Sequence, residues 1–200
     1  TLRQLMREHA DARFVVASFA SHLHRVQQVI EAALATGRNV ALVGRSMVNN
    51  VAIAREMGMI DLPSSRIVDV EDIGRYAPHE ICIICTGSQG EPMSALALMA
   101  AHDHKYVQLG DDDVVVISAH AIPGNESNVG RVINSLHRAG CVVVHDRIAK
   151  VHVSGHASQE ELKFILSLVQ PEFFVPVHGE VRQMVHHAML AEALKVGPLP

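Results

Sequence analysis

Residues 114–118 read Val-Val-Val-Ile-Ser, and residues 141–145 read Cys-Val-Val-Val-His. Both runs are apolar on the two faces that an extended chain presents. A half-exposed antiparallel strand alternates apolar and polar residues, whereas a strand covered by helices on both sides does not. These two runs therefore point to a parallel sheet sandwiched between helices. The rest of the chain alternates in the matching way. Extended runs are expected at 14–17, 39–43, 67–70 and 80–85, and helices at 21–35, 48–57, 92–101 and 125–138. The helix over 21–35 puts Leu23, Val26, Ile30 and Leu34 on one stripe, with Gly37 placed to end it. Pro92 suits a first helical turn, where its missing N–H costs nothing. The opening residues 1–12 form an amphipathic helix already under way, with Leu2, Leu5 and Met6 on one face, as in a chain cut from something longer.

The same pattern continues from residue 151. Strands are expected at 151–153 and 173–177, and helices start at Ser158 and span 180–194. Ser158 and Glu161 have the spacing of a capping box. The helix that follows would carry Leu162, Ile165, Leu166 and Val169 inward, and Pro171 stops it. The fold class is α/β: an open, mostly parallel sheet with right-handed crossovers and helices on both faces.

Composition sets the limits. The 200 residues are 48% hydrophobic and 19% charged, with a net charge of -4. A chain of this size buries roughly 70% of its unfolded surface, which excludes a disordered tail. The charge argues against a broadly basic nucleic-acid surface but leaves room for a local patch. No apolar run reaches the ~18 residues of a membrane span, and no secretory signal opens the chain. The location expected is cytoplasmic. Cys82 and Cys85 lie three apart in a strand, on opposite faces, and make a poor chelate. With Cys141 they read as core thiols.

Histidine is the unusual residue: 14 are present, against two Tyr and no Trp. Polar loops rich in small residues follow the strands at 18–22, 44–46, 86–91, 119–126, 154–158 and 178–180. In a parallel sheet such loops gather on one edge with the helix N-termini, which favours anions such as phosphate. Residues 86–90 lack the lysine and spacing of a nucleotide-binding P-loop, so Gly44, Gly87 and Gly90 can equally serve tight turns. His156 and His178 each follow an apolar run beside a glycine. Metal ligation, proton transfer and phosphate binding all remain open for them. His152 alternates away from Val153 and reads as structural or supporting. His22 and His24 open a helix, and His186 and His187 diverge on another. His102 and His104 read as solvated, and residues 111–113 (Asp-Asp-Asp) as a charged start to a strand. A catalytic zinc site needs at least three protein ligands, and neither H-x-H-x-D-H nor H-E-x-x-H occurs. On the residues alone, this is a non-enzyme or a fragment.

Six segments, in order along the chain, resemble the ribonuclease J family of the metallo-β-lactamase superfamily, which carries an inserted β-CASP domain. They are ASFASHLHRVQQVI (17–30), GRSM (44–47), TGSQGEPMSAL (86–96), IPGNE (122–126), VHVSGHASQEEL (151–162) and PVHGEVR (176–182). The resemblance implies a cytoplasmic RNA-degrading enzyme with 5′-to-3′ exonuclease and endonuclease activity. It also implies a dimer or tetramer, RNA-degradation partners and two zinc ions in a cleft. Residues 1–150 would be the β-CASP domain, and residues 151–200 the start of the returning metallo-β-lactamase portion. The part with most metal ligands is absent here.

By the same resemblance, His178 is a metal ligand. His156 is the catalytic histidine near the scissile phosphate, assisting the leaving oxygen. Ser21, His22, His152, Val153, Ser154, Gly155, His156 and Ser158 contact RNA, preferably 5′-monophosphorylated. His22 stands where the family has Asn, and Ala121 where many members have Pro. The rivals are a non-catalytic RNA-binding or assembly module, and an α/β enzyme for phosphosugars or nucleotides. A β-CASP nuclease acting on DNA fits TGSQGEP and IPGNE less well.

Overall fold

The computed structural model describes residues 1–153 and 155–197. It divides into two compact units, Thr1–Val153 and Ser154–Pro200.

In the first unit, five strands form one sheet in the order β2-β3-β1-β4-β5. They are β1 (Arg13–Ala17), β2 (Asn39–Val43), β3 (Ile81–Cys85), β4 (Asp113–Ile117) and β5 (Val142–Val144). All four pairings are parallel. The sheet is sandwiched as the double-sided apolar runs require. Phe14, Val16, Cys82, Ile84, Val114 and Val116 face one cluster, with Val26, Val29 and Ile30 of α2 (Leu23–Ala35) and Met47 and Val51 of α3 (Arg45–Glu56). Met6 of α1 (Leu2–Glu8) joins them. Val15, Ala17, Ile83, Cys85, Val115 and Ile117 face the other, with Leu96 and Met99 of α4 (Ala95–Ala100) and Val132 and Leu136 of α5 (Glu126–Arg138). The chain moves one way across the sheet through α2 and the opposite way through α4 and α5. Their placement on opposite faces is what a single crossover hand demands.

The C-x-x-C pair splits as period-two alternation dictates, Cys82 into one cluster and Cys85 into the other. All three cysteines are free and buried. Burial pushes the Cys82 thiol up to about 12 and Cys141 to about 11, so neither forms thiolate near neutral pH.

Three charged side chains, Arg13, Asp113 and Arg38, tie the sheet's N-terminal end. Arg13 donates to both oxygens of Asp113, Nε at 2.6 Å and Nη2 at 2.8 Å. They are register partners on β1 and β4. The expected charged start at 111–113 therefore contains a buried carboxylate: Asp113 is 1% exposed and also accepts from the Gly110 amide. Arg38 is buried, lies over the Phe14 ring and donates to the carbonyls of His9, Ala10 and Ala12. Burial lowers its pKa, with the neighbouring Cys82 site acting the other way.

Several expectations are corrected. Residues 67–70 make a single bridge, Ile67 to Val40, and Val70–Arg75 is a 3-10 helix. The helix expected from Pro92 starts at Ala95, because Ser94 accepts the Ala97 amide and caps it. Residues 151–153 and 173–177 form no strand. In the second unit, the expected capping box holds: Ser158 N–H donates to Glu161 at 2.6 Å at the start of α6 (Gln159–Val169). That helix buries Leu166, but Ile165 and Val169 are exposed. It packs with α7 (Val181–Ala193) around Leu166, Ala191 and Val196.

Candidate RNA-contact edge and histidine pair

The strand C-termini of the first unit bring together loops from four places in the chain. Gln89, 3% exposed, joins two of them. Its Nε2 donates to the His120 carbonyl at 2.9 Å, and its Oε1 accepts the Ile122 amide at 2.8 Å. TGSQGEP and IPGNE are thus latched to each other. Gly90 has φ +72, and a Cβ there would meet the Asn128 carbonyl carbon at 2.4 Å. A Cβ at Gly87 would meet Ser94 Oγ at 2.4 Å. Protein fills the space beside both glycines, which supports their turn role over a direct ligand role.

Arg25, in the first turn of α2, is the centre of a second knot. It is buried, and donates from Nη1 to the Ser118 carbonyl at 2.7 Å and to His152 Nδ1, and from Nη2 to the Val153 carbonyl at 3.1 Å. Ser118 Oγ donates to the Val151 carbonyl at 2.6 Å. Residues 151–153, which form no strand, are held there by side chains. Burial lowers the pKa of Arg25. That of His152 is lowered by burial first, then by Arg25 and His120. Beside this knot, His120 Nδ1 pairs with Asp146 Oδ2, and His145 Nδ1 lies 3.5 Å from Oδ1. Burial alone would raise the Asp146 pKa. Hydrogen bonds from His120 and His145 outweigh it, and the net shift is downward.

Ser21 and His22 are exposed and line an open depression of ≈ 420 Å³ with Phe19, Leu23, His24 and Met59. His22 caps α2, its Nδ1 accepting the Arg25 amide at 3.3 Å. Only Nε2 remains for another partner. In the second unit, the His156 and His178 rings stack, 6.1 Å between centroids and 4° between planes. His178 has φ +61. Gly155, His156, Ser158 and His178 are exposed, and Ser154 lies outside the described residues. Ser158 is engaged in the capping box. Among the described residues, no group of three or more His, Cys, Asp or Glu could hold a metal ion. His178 offers one imidazole where zinc needs at least three protein donors, so these residues do not fit a complete zinc site.

Reading the sequence gave no role to Arg25, Ser118, Gln89 or the His120–Asp146 pair. Gln89 and Arg25 both sit inside quoted motifs, but their burial depends on partners far away in the chain.

Two family descriptions match end to end. "Ribonuclease J, beta-CASP domain" covers residues 11–136. "Zn-dependent metallo-hydrolase RNA specificity domain" covers residues 141–197. The chain belongs to the ribonuclease J family. Ribonuclease J of Mycolicibacterium smegmatis is 45% identical over 198 residues, 99% of this chain and 35% of that protein. Ribonuclease J of Mycobacterium tuberculosis is 45% identical over 98% of this chain and 35% of its own length. For Helicobacter pylori the figures are 42%, 94% and 27%. The chain spans about a third or less of the length of these ribonuclease J relatives.

Proposed function

We propose that the longer protein containing this chain hydrolyses RNA phosphodiester bonds, as a 5′-to-3′ exoribonuclease and endoribonuclease, and that this chain supplies its phosphate-contacting loops and part of its catalytic centre. Residues 1–150 act as the β-CASP domain and residues 151–200 as the start of the returning metallo-β-lactamase portion. The observation that carries this reading is that the match to an RNA specificity domain falls on the stretch containing His152, His156 and His178.

Each residue has a stated task. Ser21, His22, His152, Val153, Ser154, Gly155, His156 and Ser158 hold the RNA backbone and a 5′-monophosphate by hydrogen bonds. His156 donates a proton to the leaving oxygen, a role worth about 10²–10⁴-fold in rate. His178 is one ligand of a two-zinc centre whose other ligands lie outside this chain. Bound zinc would polarise the phosphate and activate water. The net charge of -4 is compatible with RNA held in a cleft by a few local groups. The protein works in the cytoplasm as a homodimer or homotetramer. Among the described residues, no helix is long and apolar enough to cross a membrane.

The test is cleavage of a 5′-monophosphorylated RNA by the full-length protein with zinc present. His156→Ala should cut the rate at least about a hundredfold with folding intact. His178→Ala should lose both activity and bound zinc. Wild-type rates in His156→Ala would remove it from the chemistry. Robust metal-dependent cleavage by the 200-residue chain alone would show that the site is complete without the rest.

A further inference from the structure

Residues 151–153 lead into the loop containing His156, yet no strand holds them. Three side-chain bonds do: Ser118 to the Val151 carbonyl, Arg25 to the Val153 carbonyl, and Arg25 to His152 Nδ1. The last bond decides the state of the imidazole. A guanidinium has only N–H donors and keeps its proton in proteins. Its partner nitrogen must accept, so Nδ1 carries no hydrogen. The single proton of a neutral ring then sits on Nε2. A second proton would set one N–H against another.

We infer that Arg25 is a positioning residue that locks His152 as the neutral Nε2–H tautomer, so that His152 meets an RNA phosphate oxygen as a fixed hydrogen-bond donor and not as a cation. The RNA half of this statement rests on the function proposed above. The tautomer half stands on the geometry alone.

The other groups around the ring are accounted for. From the loop after β4 come the Ser118 carbonyl and His120, and from the loop after β5 comes Asp146. Ser118 and Asp146 favour the charged ring. Burial, Arg25 and His120 disfavour it and prevail. The Ser118 carbonyl accepts from Arg25 at 2.7 Å and, with its second lone pair, also faces the ring. His120 presents a contrast 26 residues from its partner Asp146. Its Nδ1 faces a carboxylate where that of His152 faces a guanidinium.

The test is a nitrogen-15 spectrum of the histidine side chains in the 200-residue chain. His152 should show a protonated Nε2 and a bare Nδ1 from neutral pH to below its ordinary value of 6.5. Arg25→Lys keeps the charge but loses the fork. It should give mixed tautomers and a titration closer to the ordinary value. A wild-type Nδ1–H tautomer, or an imidazolium at neutral pH, would overturn the inference. So would an unchanged spectrum in a folded Arg25→Lys. If that variant fails to fold, the wild-type spectrum alone decides.

Binding of a short 5′-phosphorylated RNA to the full-length protein tests the other half. His152→Ala should weaken binding about tenfold, the worth of one hydrogen bond to a charged group. His152→Gln should bind close to wild type, since its amide can accept from Arg25 and donate outward. A locked tautomer with unaffected binding in His152→Ala would leave the Arg25 clamp standing and remove His152 from RNA contact. A mixed tautomer with lost binding would do the reverse.

Discussion

The two units have similar apolar sequences and dissimilar interiors. In Thr1–Val153 every strand residue of β3 and β4 is buried, and two continuous clusters fill both faces of the sheet. Among the described residues of Ser154–Pro200 three are buried, while Phe164, Leu168, Phe173, Val177 and Val181 are each about two-thirds exposed or more. Apolar content therefore does not decide burial. A sheet gives each apolar run a partner on both sides, and 47 residues with two helices supply too little surface to do so. Contiguous exposed apolar residues mark a face that something covers. The relatives are about three times as long as this chain, and in the full-length protein that face is expected to be covered and residues 173–177 to gain a strand partner.

The largest expected effect follows directly. Amide exchange on the intact chain should show β1 and β3 opening only with global unfolding. Amides of α6 and α7 should exchange at least about a hundredfold faster. Equal protection in both units would break the comparison. In the full-length protein the gap should narrow, with new protection across 173–177.

Next is the Arg13–Asp113 pair, which only the first unit possesses. Asp113→Ala leaves a guanidinium without its bidentate partner and the Gly110 amide without an acceptor. A loss of about 3–5 kcal/mol in denaturant unfolding of the first unit is expected, with α6 and α7 unaffected. A smaller contrast comes from two leucines. Leu136→Ala removes a fully buried side chain from a large cluster and should cost about 2–5 kcal/mol. Leu166→Ala opens a cluster of three that can collapse, and should fall below that range. Similar values for the two would mean that the second unit is better packed than its exposed residues suggest.

The units also differ in how far they could be read from sequence, for the same reason. The expected strand over 39–43 matches β2 residue for residue, and the runs at 114–118 and 141–145 sit on β4 and β5, offset or trimmed by a residue or two. Each such strand is fixed by its own apolar pattern. The runs at 151–153 (Val-His-Val) and 173–177 (Phe-Phe-Val-Pro-Val) were also expected as strands and form none, because a strand needs a hydrogen-bonded neighbour that periodicity does not reveal. At the sites, His156 and His178 were legible as loop histidines beside glycines. Arg25 was not, because a long cation on a helix reads as solvated. Its burial depends on the Ser118 carbonyl, 93 residues away. Gln89 was obscured in the same way, with His120 and Ile122 as its distant partners.

Acid sensitivity gives the smallest contrast, and its sign can be worked out for each unit. His152 has a folded pKa below its ordinary 6.5. The unfolded chain then binds a proton that the folded one does not, so the first unit loses stability as pH falls below 6.5. Asp146, also lowered, adds a second loss only below its ordinary 3.8. In the second unit, Glu161 is lowered by the Ser158 amide and then by the Ser158 hydroxyl, so α6 loses its capping only below about 4.5. Between neutral pH and about 5, the first unit should therefore weaken while the helix signal of α6 holds steady. Melting temperature and α6 helicity followed across that range check the point. His152→Gln should flatten the first unit's slope between 6.5 and 5 without touching the loss below 3.8. An unchanged slope in that variant would assign the acid sensitivity to groups other than His152.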